Sequence, residues 1–109
     1  MDNLVQKLSG GPHPVVIGGP KISAEELKNR IENIGYVFIK FTETQGGTDL
    51  GVRIDSSKTR MENADFSAGM GKIHIEGTLI LNFIAVRCVA DINIEDMAGV
   101  GNLRVEDFE

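Results

Sequence analysis

At 109 residues, with 41% apolar and 25% charged side chains, the chain has the length of one domain and enough apolar surface to close a core, which excludes wholesale disorder. The net charge of −5 is generated at one end: residues 1–88 carry ten acids and ten bases, whereas residues 89–109 carry Asp91, Glu95, Asp96, Glu106, Asp107 and Glu109 against Arg104 alone. That distribution argues against general nucleic-acid binding, which needs clustered Lys and Arg to displace the counterions of phosphate.

Residues 1–21 read as a Gly/Pro-rich N-terminal arm ahead of a single domain at 22–109. Gly10-Gly11-Pro12 and Gly18-Gly19-Pro20 bracket Pro14-Val15-Val16-Ile17 and stop a helix there. Val15 to Ile17 suit a short strand added to a sheet edge or packed on a neighbouring subunit, and His13 is expected to be exposed. Ile22-Ser23-Ala24-Glu25-Glu26-Leu27 then carries every part of a helix start: Ser23 as N-cap, Glu26 placed to reach back to the Ser23 N–H, and Ile22 with Leu27 as a hydrophobic staple. Leu27, Ile31 and Ile34 fall on one stripe and Gly35 is placed as terminator, so the spacing predicts one amphipathic helix over about 24–34 lying on a sheet.

After Gly35 the apolar period drops to two. Tyr36 to Phe41 is aromatic and β-branched; Gln45 to Asp49 is a turn; Leu50, Val52 and Ile54 alternate with polar or small residues as the returning strand. Asp55 to Gly71 is polar and reads as a long loop with a short helical turn near Met61 to Asp65. Ile73 and Ile75 mark another strand, which Gly77 is expected to break or bulge. From Thr78 to Ile94 the even positions are Ile80, Ile84, Val86, Cys88, Ala90, Ile92 and Ile94, with Asn82 the exception; this is one long curved strand or two strands meeting near Asn82. Leu79, Leu81 and Phe83 occupy the odd face, so the first half of that segment is expected to be buried on both sides. Its apolar part, Thr78 to Ala90, is interrupted by Asn82 and Arg87 and is shorter than the roughly 20 residues of a spanning helix, so no membrane association is expected. Ala98 to Asn102 reads as a last turn into a short closing strand, Leu103 to Val105.

Few side chains form a chemical pattern. Cys88, the single cysteine, cannot staple its own chain, which points to a reducing, cytoplasmic setting; on the apolar even face it reads as a core thiol. His74 and Glu76 share a strand face, and Asp91 joins them only if the strands register correctly; two or three such groups fall short of a metal site, and none is expected. Asp91 to Asp96 has the alternating oxygens of a calcium loop but lacks its glycine at the sixth place and its glutamate at the twelfth. Ser56, Ser57, Lys58, Thr59 and Arg60 offer hydroxyls, cations and backbone N–H groups to a small phosphate or carboxylate and are the candidate ligand-binding residues. His74, Glu76, Arg87 and Asp91 are the further candidates. Gly69-Met70-Gly71 precedes a strand rather than a helix, so it is no nucleotide loop.

The expected fold is α+β: a mostly antiparallel β-sheet, or a small β-sandwich or barrel, with the one helix packed on it. No cofactor and no catalytic residue is expected. The expected function is a non-catalytic binding or regulatory module, homo-oligomeric through unpaired strand edges, which binds a small anion or a protein partner. The alternatives are a structural or assembly subunit using its arm and sheet edges, and a small enzyme using the 55–71 loop.

Overall fold

The period of two that begins at Tyr36 produces strands, and the computed structural model, which describes residues 3–106, curls them into a closed barrel. The strands are β1 (His13–Ile17), β2 (Tyr36–Phe41), β3 (Thr48–Ile54), β4 (Ala64–Asp65), β5 (Met70–Leu81), β6 (Ile84–Asn93) and β7 (Ala98–Val105). Neighbours run β3-β2-β1-β7-β6-β5, all antiparallel, and β5 returns to β3 through Arg53↔Thr78 and Ile54↔Gly77. The two-residue β4 lies on the start of β5. Two short helices, α1 (Asn3–Ser9) and α2 (Ala24–Asn29), complete the chain. The expected antiparallel α+β architecture is therefore present in its barrel form. Closure leaves no barrel strand with a wholly unpaired edge, and the edge-based argument for homo-oligomerisation loses most of its support.

Inward side chains from every barrel strand meet in one cluster that includes Val15, Val37, Ile39, Phe41, Val52, Ile75, Val86, Cys88, Ile92 and Leu103, joined by Val5 and Leu8 of α1 and Leu27 of α2. The segment read as an arm is thus built into the barrel over its described part. β1 is an interior strand, paired on one side to β2 and on the other to β7, and α1 packs against β7. His13 is half-buried: its Nε2 donates to the Lys7 carbonyl at 2.8 Å and its ring meets Phe41 edge-on. Ser9, at the end of α1, buries its Oγ with no hydrogen-bond partner among the described residues. Ser9→Ala is expected to raise stability by about 1 kcal/mol in urea denaturation, because it removes an uncompensated desolvation.

The helix start forms as read, with the Glu26 N–H donating to Ser23 Oγ at 3.0 Å. The Glu26 carboxylate does not reach back; it accepts from Arg30 Nε at 3.2 Å instead. The second half of the helix, Arg30–Ile34, is a π-helical turn, closed where Gly35 adopts φ 76° and donates to the Arg30 carbonyl. The wider turn keeps Ile31 in the core but rotates Ile34 off the apolar stripe, leaving it 61% exposed.

Three further readings are corrected. No helical turn forms at Met61–Asp65; β4 and an isolated bridge between Arg60 and His74 tie this stretch to β5. β5 runs unbroken through Gly77, where β3 crosses so closely that a Cβ would lie 2.3 Å from the Arg53 carbonyl oxygen. β7 is a full strand from Ala98, with the preceding turn at 94–97 instead. The 78–94 segment is two strands joined by the two-residue turn Asn82-Phe83, both at positive φ (50° and 66°). That turn reverses parity. Odd residues of β5 and even residues of β6 face inward, so Ile80, on the supposed inner face, points out and is 72% exposed.

Candidate functional site

Two features stand on the outer surface of the barrel: a row of ion pairs and a cleft of mixed polar and apolar lining.

The row is assembled by strand register. His74 of β5 lies opposite Asp91 of β6, and Thr78 lies opposite Arg87. His74 Nδ1 is 2.8 Å from Asp91 Oδ1, and His74 Nε2 is 2.8 Å from Glu76 Oε2. Glu76 Oε1 is 3.5 Å from Arg87 Nη1, which donates to Asp55 Oδ2 at 3.0 Å, while Arg87 Nε donates to Glu106 Oε1 at 2.6 Å. Arg104 approaches Glu76 at 3.9 Å. The four further candidates, His74, Glu76, Arg87 and Asp91, are therefore brought together by the fold. Among the described residues no group of three or more His, Cys, Asp or Glu is arranged to hold a metal ion. Partial burial pulls the His74 imidazolium toward neutrality, but the hydrogen bonds to Glu76 and Asp91, with their charges, outweigh it and hold its pKa above the ordinary value. The Ser57 hydroxyl, followed by Arg87, holds the Asp55 carboxyl below the usual carboxylate range.

The candidate anion-binding residues lie next to this row, and several of their donors are engaged within the chain. Asp55 Oδ1 accepts from both the N–H and the Oγ of Ser57. The N–H groups of Lys58 and Thr59 donate to the Asp55 carbonyl, and that of Arg60 donates to the His74 carbonyl. Thr59 Oγ1 donates to the Glu76 carbonyl at 3.2 Å. The loop around Ser56, Ser57, Lys58, Thr59 and Arg60 is thus held by some of the groups an anion would use, with Ser56 and the side chains of Lys58 and Arg60 exposed. Cys88 is fully buried and its thiol is pushed up to about 12 by burial alone, so it supplies no thiolate.

The second feature was not legible as a site. A cleft of about 450 Å³ opens where β3 and β5 diverge above their two paired positions, lined by Tyr36, Gly51, Arg53, Thr78, Ile80 and Ala85 among others. Gly51 and Ala85 keep its floor low, and the Tyr36 ring lies across Gly51 where any Cβ would collide with the phenol oxygen. Tyr36 stacks edge-on against Phe38 with ring centroids 5.4 Å apart. Ile34, Tyr36, Phe38 and Ile80 are all exposed, and Phe83 at the tip of the β5–β6 turn is fully so. Arg53 is exposed in the cleft and makes no ion pair among the described residues.

Residues 21–109 match the family described as core binding factor beta subunit. The chain belongs to that family. The match covers α2 and strands β2 to β7; α1 and β1 lie ahead of the matched stretch. No curated protein matches the chain. As a core binding factor beta family member it is a non-catalytic, protein-binding regulatory module, and among its described residues no helix is long and apolar enough to cross a membrane. For such a module the outer surface matters most. The ion-pair row is satisfied within the chain, whereas the large side chains Tyr36 and Ile80 at the cleft remain exposed.

Proposed function

We propose that the chain is the partner subunit of a DNA-binding transcription factor, that it docks through the cleft between β3 and β5, and that it does not itself hold DNA. The family match over residues 21–109 carries this reading. The surface supports it. Folded monomers seldom leave several large apolar side chains contiguous in water, and aromatic residues with Arg are the side chains that dominate interface centres. Tyr36, Arg53 and Ile80 line the cleft and Phe38 packs against Tyr36, while Ile34, two residues before Tyr36, and Phe83, three after Ile80, are further exposed apolar side chains close to them in sequence. The net charge of −5 gives no electrostatic drive toward phosphate.

The test is a capture experiment with a DNA readout. The tagged wild-type chain and an Ile80→Asp variant are used as bait, and the recovered protein is assayed on its DNA by gel retardation. The wild-type chain is expected to shift no DNA alone and to retard further the complex of the recovered protein, and Ile80→Asp is expected to recover none. DNA binding by the chain alone, or equal recovery by Ile80→Asp, overturns the reading. Sedimentation of the free chain is expected to give a monomer; a dimer that Ile80→Asp dissolves would assign the cleft to a second copy.

A further inference from the structure

Strand register lays five outward side chains in one row across the barrel wall. Tyr36 of β2 lies opposite Arg53 of β3, Arg53 opposite Thr78 of β5, Thr78 opposite Arg87 of β6, and Arg87 opposite Arg104 of β7. The row is neutralised at one end and bare at the other. Arg87 is held by Asp55, Glu106 and Glu76, and Arg104 lies 3.9 Å from Glu76. Arg53 makes no ion pair among the described residues, in a chain where acids outnumber Lys and Arg by 16 to 11. The acids nearest to it along β3 are committed elsewhere. Asp55 accepts from Arg87 through Oδ2 and from Ser57 through Oδ1. The Asp49 carboxylate lies against Gly18, in the space a Cβ there would need.

Two hydroxyls share the bare end. Tyr36 and Thr78 line the cleft together with Arg53, and neither hydroxyl makes a hydrogen bond among the described residues. No acidic residue lines the cleft. A lone exposed arginine on a strand is ordinary. Three donors around one concavity, with no carboxylate of the chain's own to meet them, form a set matched to one kind of visitor. The guanidinium offers a planar fork to the two oxygens of a carboxylate, and each hydroxyl can add one more bond. Ile80, exposed on the same cleft, offers an apolar contact beside the donors.

We propose that the cleft receives an acidic side chain of the partner protein, an aspartate or glutamate with an apolar neighbour, in which Arg53 takes the carboxylate, Tyr36 and Thr78 support it, and the apolar neighbour lies on Ile80. The proposal rests on the docking reading for the identity of the protein that brings the carboxylate. Charge complementarity selects the occupant. An extended polyanion following the row would run into the carboxylates gathered around Arg87, whereas a single carboxylate fits at the bare end. Docking also takes Arg53 out of water, so a partner without an acid at this point leaves a guanidinium buried and unpaired. Arg53 thereby rejects wrong partners as well as holding the right one.

The experiment titrates the full chain by NMR with a blocked tripeptide that carries glutamate between two leucines, with its glutamine twin, and with inorganic phosphate, reading the Gly51, Arg53, Thr78 and Ile80 amides. The glutamate peptide is expected to bind at these amides at least about tenfold more tightly than the glutamine twin, the size of a hydrogen bond to a charged group. Arg53→Gln should bring the two peptides level, and Arg53→Lys, which keeps the charge without the fork, should fall between. Equal binding of the two peptides to the wild type, a preference for glutamate that survives in Arg53→Gln, or phosphate binding as tightly as the glutamate peptide overturns the acidic anchor. The capture experiment separates this from the docking reading. Loss of capture by Ile80→Asp with no glutamate preference would sink the anchor alone, whereas a clear preference with equal capture by Ile80→Asp would sink the docking face.

Discussion

Deleting residues 1–10 is expected to unfold the barrel rather than release an appendage. Val5 and Leu8 are fully buried in the same cluster as Val15 and Leu103, so removing α1 strips two core side chains and exposes the apolar surface they cover. A buried Leu→Ala change alone costs about 2–5 kcal/mol, and the whole margin of a small domain is about 5–15 kcal/mol. Leu8→Ala should therefore lose about 3 kcal/mol in urea denaturation, and the truncated chain should lack a cooperative transition at 25 °C or melt far below the intact one. A truncated chain that melts within a few degrees of the full length would show that α1 contributes nothing. Because α1 lies outside the stretch that matches the core binding factor beta family, the result also tells whether this chain depends on an element the family match does not include.

The features legible in the sequence were those written in neighbouring residues. Ser23, Glu26 and Gly35 announce where a helix begins and ends, and the change of apolar period at Gly35 announces sheet. α1 was missed because seven residues are two turns, too few for a periodicity, and the Gly/Pro signals that rule out a helix do not rule out β1. The π-helical turn was missed because widening a turn to place Ile31 against the barrel is a tertiary demand with no local code. Parity at Asn82-Phe83 misled for a different reason. The turn residues usually read as a hairpin signal are Asn-Gly, and Phe83 hides the turn inside an apolar run. The cleft was concealed as well, since a sequence does not distinguish an aromatic that packs from one held out in water. The ion-pair row was half legible: His74, Glu76, Arg87 and Asp91 were named, but only the register of β5 on β6 joins them.

Phe83→Gly is expected to make the protein more stable and the partner complex weaker. Phe83 sits at φ 66°, a conformation that costs a residue with a Cβ about 1–2 kcal/mol, and its side chain is fully exposed, so it recovers no packing energy in the free chain. Glycine removes that strain and suits the turn type, for an expected gain of about 1 kcal/mol in denaturant midpoint analysis. An aromatic kept at a strained tip without a packing return is stabilised only when something covers it. If the cleft is the docking face, losing Phe83 should cost about 2 kcal/mol of binding, roughly 30-fold in Kd by titration calorimetry. Ile80→Ala separates the effects: exposed on the outer face with ordinary strand geometry, it should leave stability within about 0.5 kcal/mol and weaken binding by a comparable factor. Opposite signs for stability and binding at Phe83 are the mark of a residue placed for a partner. Stability and affinity falling together would mean that Phe83 braces the hairpin, and the docking face would have to be sought elsewhere on the barrel.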